Sequence, residues 1–441
     1  MRGIKKACVV FLNRVQRLRS PAFLLLFLLI LQTQNVSATP LSPFPGATVV
    51  EGQTVPFLHG RAIANLRVFA FVGKTFTPIP FQIDERDHRD RWILTSTTQP
   101  KIDDTPGRFD TNDVIVFMNR DLGERGSPAR TTAEAALWIE VRVGDETHPL
   151  GFVYIGVLTT PPELPVPHVY ARADVETDRI YAERYALAFG AQLPTHLAFV
   201  EQLGDFGTNT IAGVRAVGEV RLLGGLFTLR RSEQDMRMEG ITYRAGPVRV
   251  IRRARYWIPL PLGFRAQGRL DLLFYRDFVE ATTLVRIKIP PRLVLGDGEI
   301  KAYFDFFRLS DAQLLFEGEQ SGTLTNGGQI NEEQALSGKP THWAALLRPD
   351  GKVVLLVVRL EGALQQLEQQ LYFDNPQDGP KDNGGQTRFG FLFSHINRLT
   401  TGTHRLSVFA MVLDSTDPED IHRAVNAFLT PPAVSVAVVQ P

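Results

Sequence analysis

Leu66-Arg-Val-Phe-Ala-Phe-Val72, Gly73-Lys74 and Thr75-Phe-Thr-Pro-Ile-Pro-Phe-Gln-Ile-Asp84 form the stretch on which the fold turns. An apolar run of strand length meets a Gly-Lys turn. Beyond it Ile79, Phe81 and Ile83 alternate with Pro80, Gln82 and Asp84. Period two is the repeat of a half-buried strand. Further strands fit Val114 to Phe117, Ala136 to Val143 and Phe152 to Leu158, with Gly, Pro and Asp at the turns. Short strands at this spacing predict a small β-sandwich over residues 40–160.

Outward from there, Thr159 to Pro167 holds four prolines in nine positions, which excludes helix and central strand and predicts a stiff connector. The second domain is placed at residues 168–435. Its candidate strands lie near Ile180 to Leu187, Ala212 to Leu223, Met236 to Tyr243, Val248 to Ile258, Arg269 to Tyr275 and Thr283 to Ile289. More follow at Ile300 to Phe307, Trp343 to Leu347, Val353 to Leu360, Phe389 to Phe393 and Arg405 to Leu413. So many strands call for a large antiparallel β-sandwich. The fold class is therefore mainly β, a small sandwich followed by a large one, with one C-terminal helix. That helix is marked by Asp417 as cap, Pro418 in the first turn, Glu419 and Asp420 at the positive end of the dipole, and Ile421, Val425 and Phe428 on one face. Leu364, Leu367 and Leu371 suit a helix or a strand. Gly318 to Pro340 and Asp374 to Arg388 read as long surface loops.

The first 38 residues have the form of a signal peptide: a basic stretch, the apolar run Ala22 to Leu31, and Val36-Ser37-Ala38 before a cleavage point. The run is too short to span a membrane, so no stable transmembrane anchor is expected. Export to the periplasm or cell envelope is the expected localisation. The single cysteine, Cys8, would leave with the leader, so the mature chain has no disulfide and must rest on its core. Removing the six basic residues of the leader from 48 leaves 42 against 47 acidic ones, a formal charge of −5. A mildly acidic chain without a basic tail is a poor partner for nucleic acid.

Polar residues concentrate in FQIDERDHRDR at 81–91 and RFDTNDVIVFMNRDLG at 108–123. Asp84, Glu85, Asp87, Asp110, Asn112, Asp113 and Asp121 supply hard oxygens, and Asp84, Asp110, Asn112 and Asp113 are the candidate ligands of a Ca²⁺ ion. The spacing is not that of an EF-hand. The plainer reading has Asp110 and Asn112 satisfying backbone amides in a turn before the Val114 strand. No other cofactor is expected. The IPFQIDE strand followed by FDTNDVIVFM and DLG resembles the first domain of a group of uncharacterised exported bacterial proteins, with a Pro-x-Gln-(Ile/Val/Leu)-Asp strand and then an Asp-(Glu/Asp)-x-Val-Phe strand. The resemblance covers roughly residues 60–125 and implies no activity. It also implies that the C-terminal region is similar to the supersandwich of galactose mutarotases and polysaccharide lyases, although no catalytic set of those enzymes matches here.

The second cluster is VRVIRRARYW at 248–257. On a strand, Arg249, Arg253 and Arg255 share one face with Ile251, and Arg252 lies on the other with Val248, Val250 and Ala254. This arginine row suits the carboxylates or sulfates of an acidic glycan, with Tyr256 and Trp257 stacking on sugar rings. Its bland alternative is a solvated face paired with Glu233, Asp235 and Glu239 on the neighbouring strand. His88, His196, His342, His395, His404 and His422 are scattered and show no metal-ligand spacing; His395 and His404 are expected to face each other across a hairpin turned at Thr401-Gly402. No nucleophile elbow, P-loop, dinucleotide fingerprint or zinc-protease motif occurs. The reading is a non-catalytic glycan-binding protein. Its rivals are a carbohydrate lyase or epimerase and a structural envelope protein that binds other proteins. Oligomeric state is not encoded in any feature met here.

Overall fold

The computed structural model describes residues 45–94, 103, 105–128, 134–160, 168–190, 192–222, 227–259, 265–287, 295–307, 309, 312–317, 341–374 and 386–439. The leader, the proline-rich connector at 161–167 and most of both long loops fall outside them. The described residues belong to one compact unit. They are mainly β, and every pair of named strands is antiparallel.

The layers stack around one strand. Val114–Met118 is buried along its whole length and is the middle of a three-stranded sheet with Ala47–Glu51 and Gln82–Asp84. Its alternate residues serve two cores. Ile115 and Phe117 face a five-stranded sheet built from Leu66–Val72, Thr75–Pro78, Ala135–Gly144, Pro149–Leu158 and Val434–Val439. Val114, Val116 and Met118 face the other way, onto an eight-stranded sheet. The chain's last described strand thus returns to pair with Ala135–Gly144 of the first sandwich.

The eight-stranded sheet runs in the order Arg237–Ala245, Val250–Pro259, Arg265–Phe274, Phe278–Ile287, Gly402–Leu413, Val353–Leu360, Trp343–Leu347, Gln313–Phe316. Odd-numbered Ile251, Leu273, Phe409 and Met411 pack on the three-stranded sheet and on helix Pro418–Leu429, whose Ile421, Ala424, Val425 and Phe428 face inward. Asp417 caps that helix by accepting the Glu419 N–H. Even-numbered Val250, Leu272, Phe274 and Leu356 form the second large core with Phe306, Phe389, Phe391 and Leu371 of a second five-stranded sheet. The strand order in that sheet is Phe227–Ser232, Ile211–Leu222, Leu295–Phe307, Gln386–Ser394, Glu368–Asp374. A four-stranded sheet over 171–199 packs into the same core.

Three local expectations change. The segment Ile180 to Leu187 is a hairpin, Arg179–Ala182 and Tyr185–Phe189, turned at Glu183-Arg184. Leu364 lies in a 3₁₀ turn, Gly362–Gln366, and Leu371 in the strand Glu368–Asp374, so the strand alternative holds there. His395 and His404 do not share a hairpin. The strand before them, Gln386–Ser394, belongs to the second five-stranded sheet and the strand after them, Gly402–Leu413, to the eight-stranded sheet. The linking segment crosses between layers, with His395 at φ +61° and hydrogen-bonded to Glu368 at 3.0 Å.

Candidate functional site

Asp84, at the end of its short strand, is 0% exposed and takes two guanidinium groups. Arg244 Nε donates to Oδ1 at 2.9 Å; Arg249 Nε and Nη2 reach Oδ2 at 2.9 and 2.7 Å. Gln82 completes the junction: its amide donates to Asp84 Oδ1 at 2.7 Å and its carbonyl accepts from the Arg249 N–H at 3.0 Å. Arg249 Nη1 also donates to Tyr275 Oη at 2.5 Å. Burial pushes the Tyr275 hydroxyl up to about 12, against the pull of Arg249.

Beyond Arg249 the same sheet face turns polar. Reading across five strands in register, Arg253, Asp271, Thr282, Ser407 and Arg359 form one continuous row. The row beneath it holds the apolar Ile251, Leu273 and Phe409, with Glu280 between the last two, and the helix covers it by stacking Phe428 on Phe409 at 4.7 Å. On the row above stand Arg255, Arg269 and Arg405. Arg253 grips Asp271 through two bonds of 2.6 and 2.8 Å, and Arg269 shares the same carboxylate at 3.5 Å. Burial, then the like charges of Arg253, Arg91 and Arg405, hold the Arg269 guanidinium below its ordinary pKa despite Asp271.

These rows floor a cavity of about 550 Å³ between the eight-stranded sheet, the end of the helix and the first sandwich. That is the size of small-ligand sites, roughly 300–1,000 Å³. One wall is Trp92, held by Arg86 at 4.1 Å and Arg249 at 5.0 Å from its ring centre. Among the described residues eight arginines and four carboxylates line the cavity, an excess of positive charge. Arg405 is exposed at its rim and makes no ion pair among the described residues.

Of the residues singled out in the sequence, Arg249 and Arg253 line this cavity from within ion pairs. Arg255 is exposed, in register with Arg269. Tyr256 points to the opposite face and rests on Gly268, where an added Cβ would lie 2.3 Å from its Cζ. Trp257 stacks with Arg265, 4.3 Å from the ring centre, toward the far end of the strand. The acidic partners of the arginine strand are Asp84, Asp178 and Asp271, not Glu233, Asp235 and Glu239. The acidic loop residues are also placed. Asp110 accepts from the Asn112 N–H at 3.1 Å, Asn112 donates to the Asp87 carbonyl at 3.0 Å, and Asp113 accepts from the N–H groups of Asp110 and Arg86 at 2.9 and 3.3 Å. Among the described residues no three His, Cys, Asp or Glu side chains gather as a metal site.

Sequence reading did not single out Trp92, Arg269, Asp271, Thr282, Arg359, Arg405 or Ser407 for the site. The available signal was the lone polar residue within an apolar strand, as in Leu270-Asp271-Leu272, but adjacency across strands has no trace in one chain.

No protein-family profile matches the chain, and no curated protein matches it. Among solved structures it is similar to an alpha-mannosidase from Enterococcus faecalis V583, with a TM-score of 0.48 and 9% identity over 90% of this chain and 45% of that one. It is also similar to the alpha-N-acetylgalactosaminidase NagBb from Bifidobacterium bifidum, with a TM-score of 0.36 and 15% identity over 59% and 37% of the two chains. A third is a glycoside hydrolase family 97 enzyme from Pseudoalteromonas sp. strain K8, with a TM-score of 0.29 and 8% identity over 56% and 36%. The chain spans less than half the length of each of these.

Two predictions follow from the buried carboxylates. Asp84→Ala leaves Arg249 buried without its carboxylate and is expected to cost about 3–5 kcal/mol, read from the urea midpoint at unchanged slope. Burial pushes the Asp113 carboxyl up to about 7. Its unfolded value is about 3.9, so between the two the native state holds the extra proton and stability falls as pH rises from about 4 to about 7. Melting curves across that range are expected to show this slope, reduced in Asp113→Asn.

Proposed function

We propose that the chain binds an acidic glycan in the arginine-lined cavity. The observation that supports this is the surplus of guanidinium groups, Arg269 and Arg405 above all, over a floor of hydrogen-bonding side chains. Guanidinium groups match carboxylate and sulfate in bidentate geometry. Asp271 and Thr282 offer partners for hydroxyls, and Trp92 and Phe428 supply flat apolar walls for the sugar ring.

Binding fits the lining better than catalysis does. Tyr275 holds its proton to about 12 and already accepts from Arg249, so it is a poor base near neutrality. The enzymatic alternative, a lyase or epimerase, draws support from Glu280, which accepts from Thr282 at 3.0 Å and has no ion pair among the described residues. The reading places the protein outside the cytosol, supported by the leader-like first 38 residues.

The test is calorimetric titration of the purified chain with oligomers of alginate, polygalacturonate and heparin. Saturable binding that weakens with salt is expected, and Arg269→Ala with Arg405→Ala should weaken it by about tenfold or more. If none of these acidic oligomers binds, or the double variant binds as tightly as the parent, the reading fails. An ultraviolet signal of unsaturated uronate that disappears in Glu280→Gln would decide for a lyase.

A further inference from the structure

The outer face of the second five-stranded sheet carries a pattern that neither core nor the arginine cavity uses. On Leu295–Phe307, Phe304 and Phe306 point inward, so Lys301, Tyr303 and Asp305 point out. Tyr303 lies in register with Gly390, and Gly390 in register with Tyr372. Because Gly390 has no side chain, the two phenol rings close over it, their centres 5.0 Å apart and their planes tilted by 57°. Both tyrosines are half-buried.

The next row out is Asp305, Arg388 and Asp374, in register. Asp305 is only 5% exposed although it stands on the solvent side of the sheet. Arg215 and Arg388 cover it, at 3.6 and 3.8 Å, and are themselves tied to Glu233 at 3.2 Å and Asp374 at 2.9 Å. The turn Glu233–Asp235, closed by a capping box on Ser232, forms a wall beside Tyr303 and borders an open depression of about 440 Å³ that Arg215, Arg230 and Arg231 also line. Arg388 Nε, buried, makes no hydrogen bond.

We propose that this face is a second binding site, for an uncharged sugar ring of a neutral glycan. The tilted tyrosine pair offers a notch for the apolar face of a pyranose. Arg388, Asp374 and Arg215, locked in place around the covered Asp305, present fixed donors and acceptors to its hydroxyls. Within this network each cation has an acidic partner, so the row itself leaves no field over to select an anion, while Arg230 and Arg231 line the far side of the depression. The arginine cavity, two layers away across the large core, is the opposite case.

The experiment titrates the full chain with linear hexasaccharides of glucose, mannose and galactose. At least one is expected to bind saturably and with little dependence on salt. Tyr372→Ala and Tyr303→Ala should each weaken it by about tenfold, while Tyr372→Phe, which keeps the ring, stays close to the parent. A tyrosine pair that only stiffens the sheet would lower the melting temperature in the alanine variants and leave affinity unchanged, and that outcome overturns the proposal. So does the absence of binding by all three hexasaccharides. Arg269→Ala serves as the separating control: it is expected to bind the neutral ligand as the parent does, so loss of the acidic-glycan reading leaves this one standing and the reverse.

Discussion

Asp84 is the fully buried carboxylate at the junction between the two halves of the fold. It ends a three-residue strand of the first sandwich, yet its partners, Arg244 and Arg249, flank the turn between the first two strands of the eight-stranded sheet, far along the chain. A fully buried carboxylate loses its hydration, and only close, well-aligned donors offset that loss. Three side-chain donors within 2.9 Å meet that condition. They also fix the docking, because Gln82 accepts the Arg249 N–H only when the short strand and the turn before Val250 lie at one particular offset. The docking is therefore specified by polar geometry and strengthened by the apolar contact of Val114, Val116 and Met118 with Ile251 and Leu273.

That docking also determines where the cavity opens. Along four strands of the eight-stranded sheet the same face changes character at nearly the same level, Ile251 to Arg253, Leu273 to Asp271, Phe409 to Ser407 and Val357 to Arg359, while the strand between the second and third carries Glu280 and Thr282 there. Below the change, the helix and the three-stranded sheet cover apolar side chains. Above it they end, and the surface they leave is polar and positive. Trp92 follows Asp84 by eight positions on a segment tied down by the Arg91–Asp87 pair at 2.6 Å, so the carboxylate that seals the junction also positions the wall of the cavity.

Most strands were legible because period two and turn residues are local signals; Trp343–Leu347 and Val353–Leu360 have the bounds the pattern predicts. The end helix was legible for the same reason, from its cap and its apolar face. What the pattern cannot carry is who lies beside whom. Acidic residues close in sequence, Glu233 and Glu239, were natural partners for the arginine strand, but pairing follows register and layer contact instead, and brings Asp84, Asp178 and Asp271. His395 and His404 failed in the same way, since a loop of that length serves a hairpin or a crossing between sheets equally well. Two of the three arginines of the row, Arg249 and Arg253, line the cavity, while Tyr256 and Trp257 were assigned by nearness along the chain rather than by the side each faces.

The arginines of the strand Val250–Pro259 and its neighbours fall into two kinds, and the distinction bears on ligand binding. Arg252 and Arg253 each hold a carboxylate through two bonds, and Arg249 holds Asp84 through one bond from Nε with Nη2 2.7 Å from the same oxygen. Their charges are neutralised within the fold. Arg269 has only a longer share of an already engaged Asp271, and it sits among Arg253, Arg91 and Arg405. Mutual repulsion in this group is a standing cost to the unliganded protein, since a cluster of like charges is relieved only by solvent, salt or a counter-charge. An anion seated between Arg269 and Arg405 would remove that repulsion as well as add its own contacts. Because such an anion binds the native state alone, its affinity would appear as added stability, and the thermal shift would grow with ligand concentration.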